Sequence, residues 1–384
     1  MANDRDHFES YRAQTLAKHT ILEKYIFAFF NVLKNANKNL VYIDGFAGRG
    51  FYTSETGERF DGSPIRALRA IASSDDLATR VSTILIEKDA ALAKDLRESV
   101  AEFYKANPKM REPQVAQGTF ASELTSALDS LDARGVRLAP TFLFVDPCGV
   151  AGASFEAIRR FMANDSCELL LFFNIDGVRR IVGLKEEMGT TLAELLGSQQ
   201  RAAELVAAVA ACPTPARKEE CIVRFYDALI RKETGAAFVT MFRVENEERR
   251  VTSHYLIHVT KHAMGFRIMK DVMWDAGKSD EGMGGLALEQ ASLTDEPMLI
   301  RARWEGVKAH VEKELLAGPR RVSHFYETLV MEPSNRLCEK AYRRALLELE
   351  AEGKIVVLAK DRSGAVAAAR RAGTLAKDYY VRRA

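Results

Sequence analysis

Cysteine is scarce in this 384-residue chain, and none of its five cysteines forms a CxxC pair. They stand apart at 148, 167, 212, 221 and 338, so neither a zinc knuckle nor a disulfide framework is indicated. Long apolar runs are also missing, and no stretch could span a bilayer. The opening MANDRDHFES is polar and charged, unlike a signal peptide, so the expected compartment is the cytoplasm. An excess of one charge sign is lacking too: 55 basic and 53 acidic side chains leave a net +2. Whole-chain charge therefore says nothing about nucleic acid. What the chain has in quantity is apolar side chains, 47% of the total, enough for a large core and two domains.

Charge is uneven towards the end. From Lys360 onward, Lys360, Arg362, Arg370, Arg371, Lys377, Arg382 and Arg383 face only Asp361 and Asp378. Such a tail attracts polyanions, and it is also a common solvated surface.

The pattern along the chain alternates. Residues 16–35 read as an amphipathic helix with Leu16, Ile21, Leu22, Tyr25, Phe29, Phe30 and Leu33 on one stripe. Strands are expected near 40–44, 81–87, 113–116, 141–146 and 168–174, with helices between them. Residues 51–62 read as a polar loop, and Ser63-Pro64 as an N-cap and first helical residue. Strands alternating with helices predict a Rossmann-like, doubly wound, mostly parallel sheet. A second pair of strands, near 237–244 and 254–260, suits antiparallel neighbours joined by ENEERR. The expected organisation is one domain over 1–275, a linker over 276–296 and a second domain over 297–384.

The second domain reads as three helices, at 299–317, 322–332 and 335–352, then a hairpin of KIVVLA (354–359) and YYVRR (379–383). That order describes a winged helix-turn-helix. On the third helix, Arg336, Lys340 and Arg343 share a face, with Arg344 at its margin. Cys338, Tyr342, Ala345 and Leu349 lie opposite. One side can bury while the other offers cations to phosphates, joined by the hairpin's Arg362, Arg370 and Arg371. The alternative is a surface helix in a docking module.

The most telling stretch is VYIDGFAGRG (41–50). A buried strand ends in Asp44, and Gly45, Gly48 and Gly50 let backbone approach a ligand closely. The spacing is GxxGxG rather than GxGxxG, which argues against a nicotinamide or flavin site. Asp44 would orient the turn or meet a cofactor amino group. Glu87, at the end of the second strand, either accepts both ribose hydroxyls of a nucleoside cofactor or is an exposed strand-end charge. Asp146, before Pro147 and after the fourth strand, would aim oxygen atoms into a cleft, or simply form an Asp-Pro turn. Asn174 and Asp176, with Arg179 and Arg180, either hold a phosphate-bearing substrate or start a helix. His254, His258 and His262 recur every four residues, a metal-site spacing on a helix. HYLIHVT reads as a strand, however, on which the three would not converge, so no metal site is expected.

Together the glycine turn, the acidic second strand and the Asp-Pro step resemble class I S-adenosylmethionine-dependent methyltransferases. More closely, KHTILEKYI, YIDGFAGRG, GSPIRAL, FVDPCG, FNIDGVRR and HVTKHAMGFRIMKDVMW resemble the three-Cys-motif partner family, over about residues 16–275. The resemblance implies a methyltransferase-like fold. It implies S-adenosylmethionine held by Asp44, Gly45, Gly48, Gly50, Glu87 and Asp146, with Asp146 and Asn174 at the reaction centre. It also implies a link to a three-cysteine partner protein. Amino-group DNA methyltransferases carry a second proline and an aromatic residue where Cys148-Gly149 stands here, which puts that reaction in doubt. The expected function is methyl transfer to DNA or RNA. The alternative is a non-catalytic nucleic-acid- or partner-binding protein on the same scaffold. A third reading makes Cys148 the nucleophile of a cytosine C5 methyltransferase, but the usual Gln and Ser after it and the Glu-Asn-Val after the fifth strand are absent.

Overall fold

A computed structural model of the chain describes residues 4–53, 57–183, 189–246, 251–276, 300–332, 335, 337–360, 366–367 and 373–384. The chain divides into two compact units, one ending at Phe266 and the other beginning at Arg267.

In the first unit the strands are β1 (Leu40–Asp44), β2 (Phe51–Thr53), β3 (Arg59–Asp61), β4 (Val81–Glu87), β5 (Gln114–Gln117), β6 (Thr141–Val145), β7 (Cys167–Phe173), β8 (Phe238–Asn246) and β9 (Val251–Thr260). The helices are α1 (Asp4–Leu33), α2 (Ser63–Ala72), α3 (Asp75–Arg80), α4 (Ala90–Ala106), α5 (Phe120–Ala133), α6 (Phe155–Met162), α7 (Ile175–Gly183), α8 (Gly189–Leu196), α9 (Gln199–Ala210) and α10 (Pro215–Thr234). Helix α11 (Ala263–Ala276) carries the boundary between the units.

Seven strands form one sheet in the order β5-β4-β1-β6-β7-β9-β8. Pairing is parallel from β5 to β7, and β9 runs antiparallel to both β7 and β8. The sheet is therefore mostly parallel and the unit is α/β. Strands β6 and β7 are buried at every position, which is why TFLFV and CELLLFF read as unbroken apolar runs. Chain order reverses direction between β1 and β6. Such a switch point leaves a crevice outside the carboxyl ends of the strands, where open α/β sheets bind their ligands.

Helix α1 packs across the middle of the sheet through Ile21, Leu22, Tyr25, Phe29 and Phe30, all buried. Tyr25 and Phe29 meet Phe142 of β6 at ring distances of 5.2 and 5.6 Å. The helix begins at Asp4, well before the expected start near residue 16.

A polar hub lies beneath α1. Glu168 of β7 is buried, and its carboxylate accepts from Tyr25 of α1, from Thr260 Oγ1 at 2.7 Å, and pairs with His258 Nε2 at 2.9 Å. Strand pairing explains the convergence: Leu169 sits opposite Val259, which puts Glu168 level with Thr260. Gly265 must stay small here, since a Cβ would fall 2.3 Å from Glu168 Oε1.

Two short elements differ from expectation. Within the loop expected over 51–62, Phe51–Thr53 and Arg59–Asp61 form the antiparallel pair β2 and β3. Helix α2 takes Gly62, not Ser63, as its N-cap, because the Ser63 hydroxyl is drawn to Asp44 instead.

The second unit holds α12 (Ile300–Glu314), a short 3-10 turn (Leu315–Ala317), β10 (Arg320–Arg321), a π turn (His324–Thr328) running into a 3-10 turn (Leu329–Met331), α13 (Glu339–Ala351), β11 (Ile355–Lys360), β12 (Val366–Ala367) and β13 (Tyr380–Arg383). Its strands form an antiparallel sheet in the order β10-β13-β11-β12. The helix expected over 322–332 is thus π and 3-10 in character, and β10 was not foreseen. Cys338, Tyr342, Ala345 and Leu349 are all buried, while Lys340 and Arg343 are exposed.

Replacing Glu168 with Ala would strand Tyr25, Thr260 and His258 beneath α1. Urea unfolding should show a loss of about 3–5 kcal/mol, and an unchanged midpoint would mean that the hub contributes nothing to holding α1.

Candidate active site at the carboxyl edge

The turn after β1 is built by hydrogen bonds that leave its outer surface to glycine. Gly45 N–H donates to Phe144 O at 2.8 Å, and Ala47 N–H to Ile86 O at 2.9 Å, tying the turn to β6 and β4. Gly45 admits no side chain, because a Cβ would lie 2.6 Å from the Phe120 ring. Gly48 adopts a φ of +61°, and nothing lies within 4 Å of where its Cβ would be. A left-handed glycine facing open space leaves room for a ligand to reach the backbone.

Asp44 is fully buried and works inside this turn. Its Oδ1 accepts from Phe46 N–H at 3.1 Å, and its Oδ2 accepts from the Ser63 hydroxyl at 2.9 Å and from the Tyr42 hydroxyl at 3.4 Å. Burial pushes its carboxyl up to about 7, the bonds from Ser63 and Phe46 working against that rise.

Glu87 stands at the end of β4 and clasps the turn. Its Oε2 accepts from Gly48 N–H at 2.8 Å, and its Oε1 accepts from Asp89 N–H at 2.7 Å. An ionised carboxylate has about four acceptor positions, so two backbone bonds leave capacity for a pair of hydroxyls.

On the far side of β1 from Glu87, Asp146 follows β6. Lys18 of α1 reaches its Oδ2 at 2.5 Å, and both side chains are largely shielded, with 8% and 16% of their surface exposed. The Lys18 ammonium also stands 4.8 Å from the centre of the Phe172 ring. Lys18 opens the segment KHTILEKYI, but nothing in the sequence links it to Asp146. Its place follows from α1: Lys18 lies seven residues before Tyr25, about 10 Å along the axis towards the sheet's carboxyl edge.

Asn174 and its neighbours carry structural duties. Asn174 Oδ1 accepts from Gly177 N–H at 2.7 Å, capping α7. Arg179 bonds to Glu219 at 2.9 Å, to Thr252 O at 2.6 Å and to Asp176 at 3.3 Å. Arg180 is exposed and 4.0 Å from Asp176.

Cys148 is exposed after Pro147, in a turn closed by Gly149 N–H donating to Pro147 O at 2.8 Å. Although the residue is exposed, its thiol is flanked by protein. That desolvation, followed by the charge of Asp146, pushes the thiol up from its ordinary range, the reverse of what an activated nucleophile needs.

His254, weighed in the sequence only against a metal site, comes to the same sheet edge. It lies on β9 with its ring flat on Phe172, centroids 4.1 Å apart. In a strand, residues four apart share a face, so His254 and His258 both look towards α1.

A separate cleft of about 430 Å³ is lined by Glu156, Arg159, Ser198, Arg201 and Glu233 and shares no residue with this edge. Its arginines are already paired, Arg159 with Glu156 and Arg201 with Glu233, as on a solvated charged surface.

No protein-family model and no curated protein matches the sequence. Solved structures do resemble it. Protein LPL1258 from Legionella pneumophila is 12% identical, with 66% of this chain and 87% of that one aligned at a TM-score of 0.40. Precorrin-6y C5,15-methyltransferase from Geobacter metallireducens is 14% identical over 60% and 87%, at 0.29. PKMT2 from Rickettsia typhi is 8% identical over 86% and 73%, at 0.30. Likeness at this distance leaves the chemistry to the chain's own residues.

Of the expected nucleic-acid contacts, Arg336, Arg362, Arg370 and Arg371 lie outside the described residues, as do residues 277–296 of the expected linker. Lys340 pairs with Asp275, and Arg344 with Glu348 at 2.9 Å. Arg343 is exposed, beside Lys340 and Arg344 along a depression of about 370 Å³.

Asp44 gives the site a pH signature. Unfolded, it ionises near 3.8; folded, it holds its proton to about 7. Its contribution to stability is therefore complete below pH 3.8 and is lost as pH rises through 7. Across that window wild type should lose up to about 4 kcal/mol relative to Asp44→Asn. Parallel urea profiles for the two proteins would contradict the buried, protonated carboxyl.

Proposed function

We propose that the chain is an S-adenosylmethionine-dependent methyltransferase acting on nucleic acid. The observation that carries this reading is the Gly45–Gly50 turn clasped by Glu87 at the sheet's switch point, with Asp146 one strand over. The strand order, with a reversed strand inserted beside β7, is the one that class I methyltransferases use. The turn suits the adenosyl amino acid: Gly48 opens the backbone to a ligand, and Glu87 retains acceptors for two ribose hydroxyls. Asp44 would act through the turn rather than by touch, since it is sealed from solvent. When bound, the cofactor supplies an electrophilic methyl group.

The chain's own residues orient the acceptor. Lys18 occupies Oδ2 of Asp146 and fixes the carboxylate, leaving Oδ1 to accept a hydrogen bond from the group being methylated. In-line displacement needs little more than such alignment and fixed dipoles. Asn174 lies at the same edge, with its Oδ1 bound to α7 and its amide NH2 left to meet the substrate.

The second unit supplies the reason to favour a polymer. The antiparallel strands that follow α13 support reading this unit as a winged helix-turn-helix, in which α13 would be the recognition helix. Arg343 offers a cation there, and Lys340 and Arg344 would exchange their carboxylate partners for phosphate. Resemblance to the three-Cys-motif partner family extends the proposal to a three-cysteine protein as partner.

Labelled S-adenosylmethionine incubated with DNA and RNA pools tests the proposal. Wild type should transfer methyl groups to one of them. Asp146→Ala should lower kcat about 100-fold or more while Cys148→Ala leaves it intact. Cofactor binding without transfer to either pool would leave a binding protein on this scaffold. Loss of activity in Cys148→Ala would move the reaction to cytosine C5.

A further inference from the structure

The imidazole at the carboxyl edge is tied to the reaction-centre carboxylate through one aromatic ring. Phe173 pairs with Tyr255 in the antiparallel ladder, so His254 stands where Asn174 leaves β7. Its ring lies on Phe172 with planes only 7° apart. Lys18 approaches that same phenyl ring and then binds Asp146. The chain of contacts from His254 to Asp146 is therefore Phe172 and Lys18.

Stacking fixes the plane of the imidazole, and burial fixes its tautomer. Nδ1 is sealed from solvent and has no partner among the described residues, whereas the residue as a whole is half-buried. An unmet lone pair costs less than an unmet N–H, so the proton belongs on Nε2, the accessible nitrogen. The ring is also neutral at ordinary pH. Burial pushes it down to about 4, Asp146 and Asp176 oppose that, and Lys18 adds to it. A neutral donor beside Lys18 adds no further repulsion towards a cationic cofactor, as an imidazolium would.

Resting on the methyltransferase reading, we propose that His254 is a substrate-contacting residue of this site. Its Nε2–H donates to an acceptor atom of a planar heterocycle, while Asp146 accepts from the group that takes the methyl. Donor and acceptor stand two strands apart, with Phe172 of β7 between them, and would read separate positions across one heterocycle. This makes His254 a determinant of which heterocycle is methylated and of how it is aligned.

The test compares wild type with His254→Phe, which keeps the stack, His254→Ala, which abandons it, and His254→Gln, which keeps a donor. Calorimetry should give the same affinity for S-adenosylmethionine within about twofold, since His254 touches only the acceptor. Steady-state transfer to the methylated pool should show kcat about 10- to 100-fold lower in the Phe and Ala variants, with part of the loss recovered in Gln. Nitrogen-15 spectra of the histidine rings, assigned by the variants, should show His254 as the neutral Nε2–H tautomer above about pH 5. An active wild type with undiminished kcat in folded His254→Phe and His254→Ala, or an Nδ1–H tautomer, would overturn the assignment alone. A wild type that transfers no methyl group would remove it together with the methyltransferase reading.

Discussion

The buried carboxylate of Glu168 is the constraint on which the candidate site depends. A polar group this deep in a sheet persists only with close hydrogen-bond partners around it, and here three come from two elements: Tyr25 of α1, and His258 and Thr260 of β9. Because one donor belongs to α1, the hub sets where that helix lies along the sheet. Two turns earlier in the helix, Lys18 then arrives at Asp146. The Asp146 carboxylate is thus positioned from both sides, by its own strand end and by a helix registered through a network deeper in the sheet.

A second economy governs the glycine turn. Its three acidic neighbours divide their work by depth. Asp44 is sealed and shapes the loop from within, Glu87 grips it from the adjoining strand, and Asp146 stands at the opposite side of the switch point. Burial pushes the Asp44 carboxyl towards neutrality, where it serves as a structural acceptor for Phe46 N–H, Ser63 and Tyr42.

Much of this was legible in the sequence, and for identifiable reasons. Apolar runs expected to end at Asp44, Glu87, Asp146 and Asn174 located four strand ends to within one residue, and the two central strands β6 and β7 are buried throughout and leave no alternation to confuse the reading. The antiparallel pairing of β8 and β9 followed from two β-rich runs flanking a charged turn. Ser63 was misread as a cap because local rules favour serine there, and only the fold brings Asp44 within 2.9 Å of it. The paired strands β2 and β3 were too short and polar to register. Lys18 and Asp146 are 128 positions apart, and no periodicity links a helical lysine to a distant strand end. His254 was weighed only as a metal ligand; its stack on Phe172 depends on the register of β7 against β9, which the sequence does not reveal.

A crystal structure with S-adenosylhomocysteine is the most direct test of the central claim. The nucleoside should lie against the Gly45–Gly50 turn, its ribose hydroxyls on Glu87 and its sulfur directed towards the crevice beside Asp146. A ligand found in the Arg159–Arg201 cleft instead, or a carboxyl edge that admits none at saturating concentration, would contradict the assignment of this edge as the methyl-transfer site.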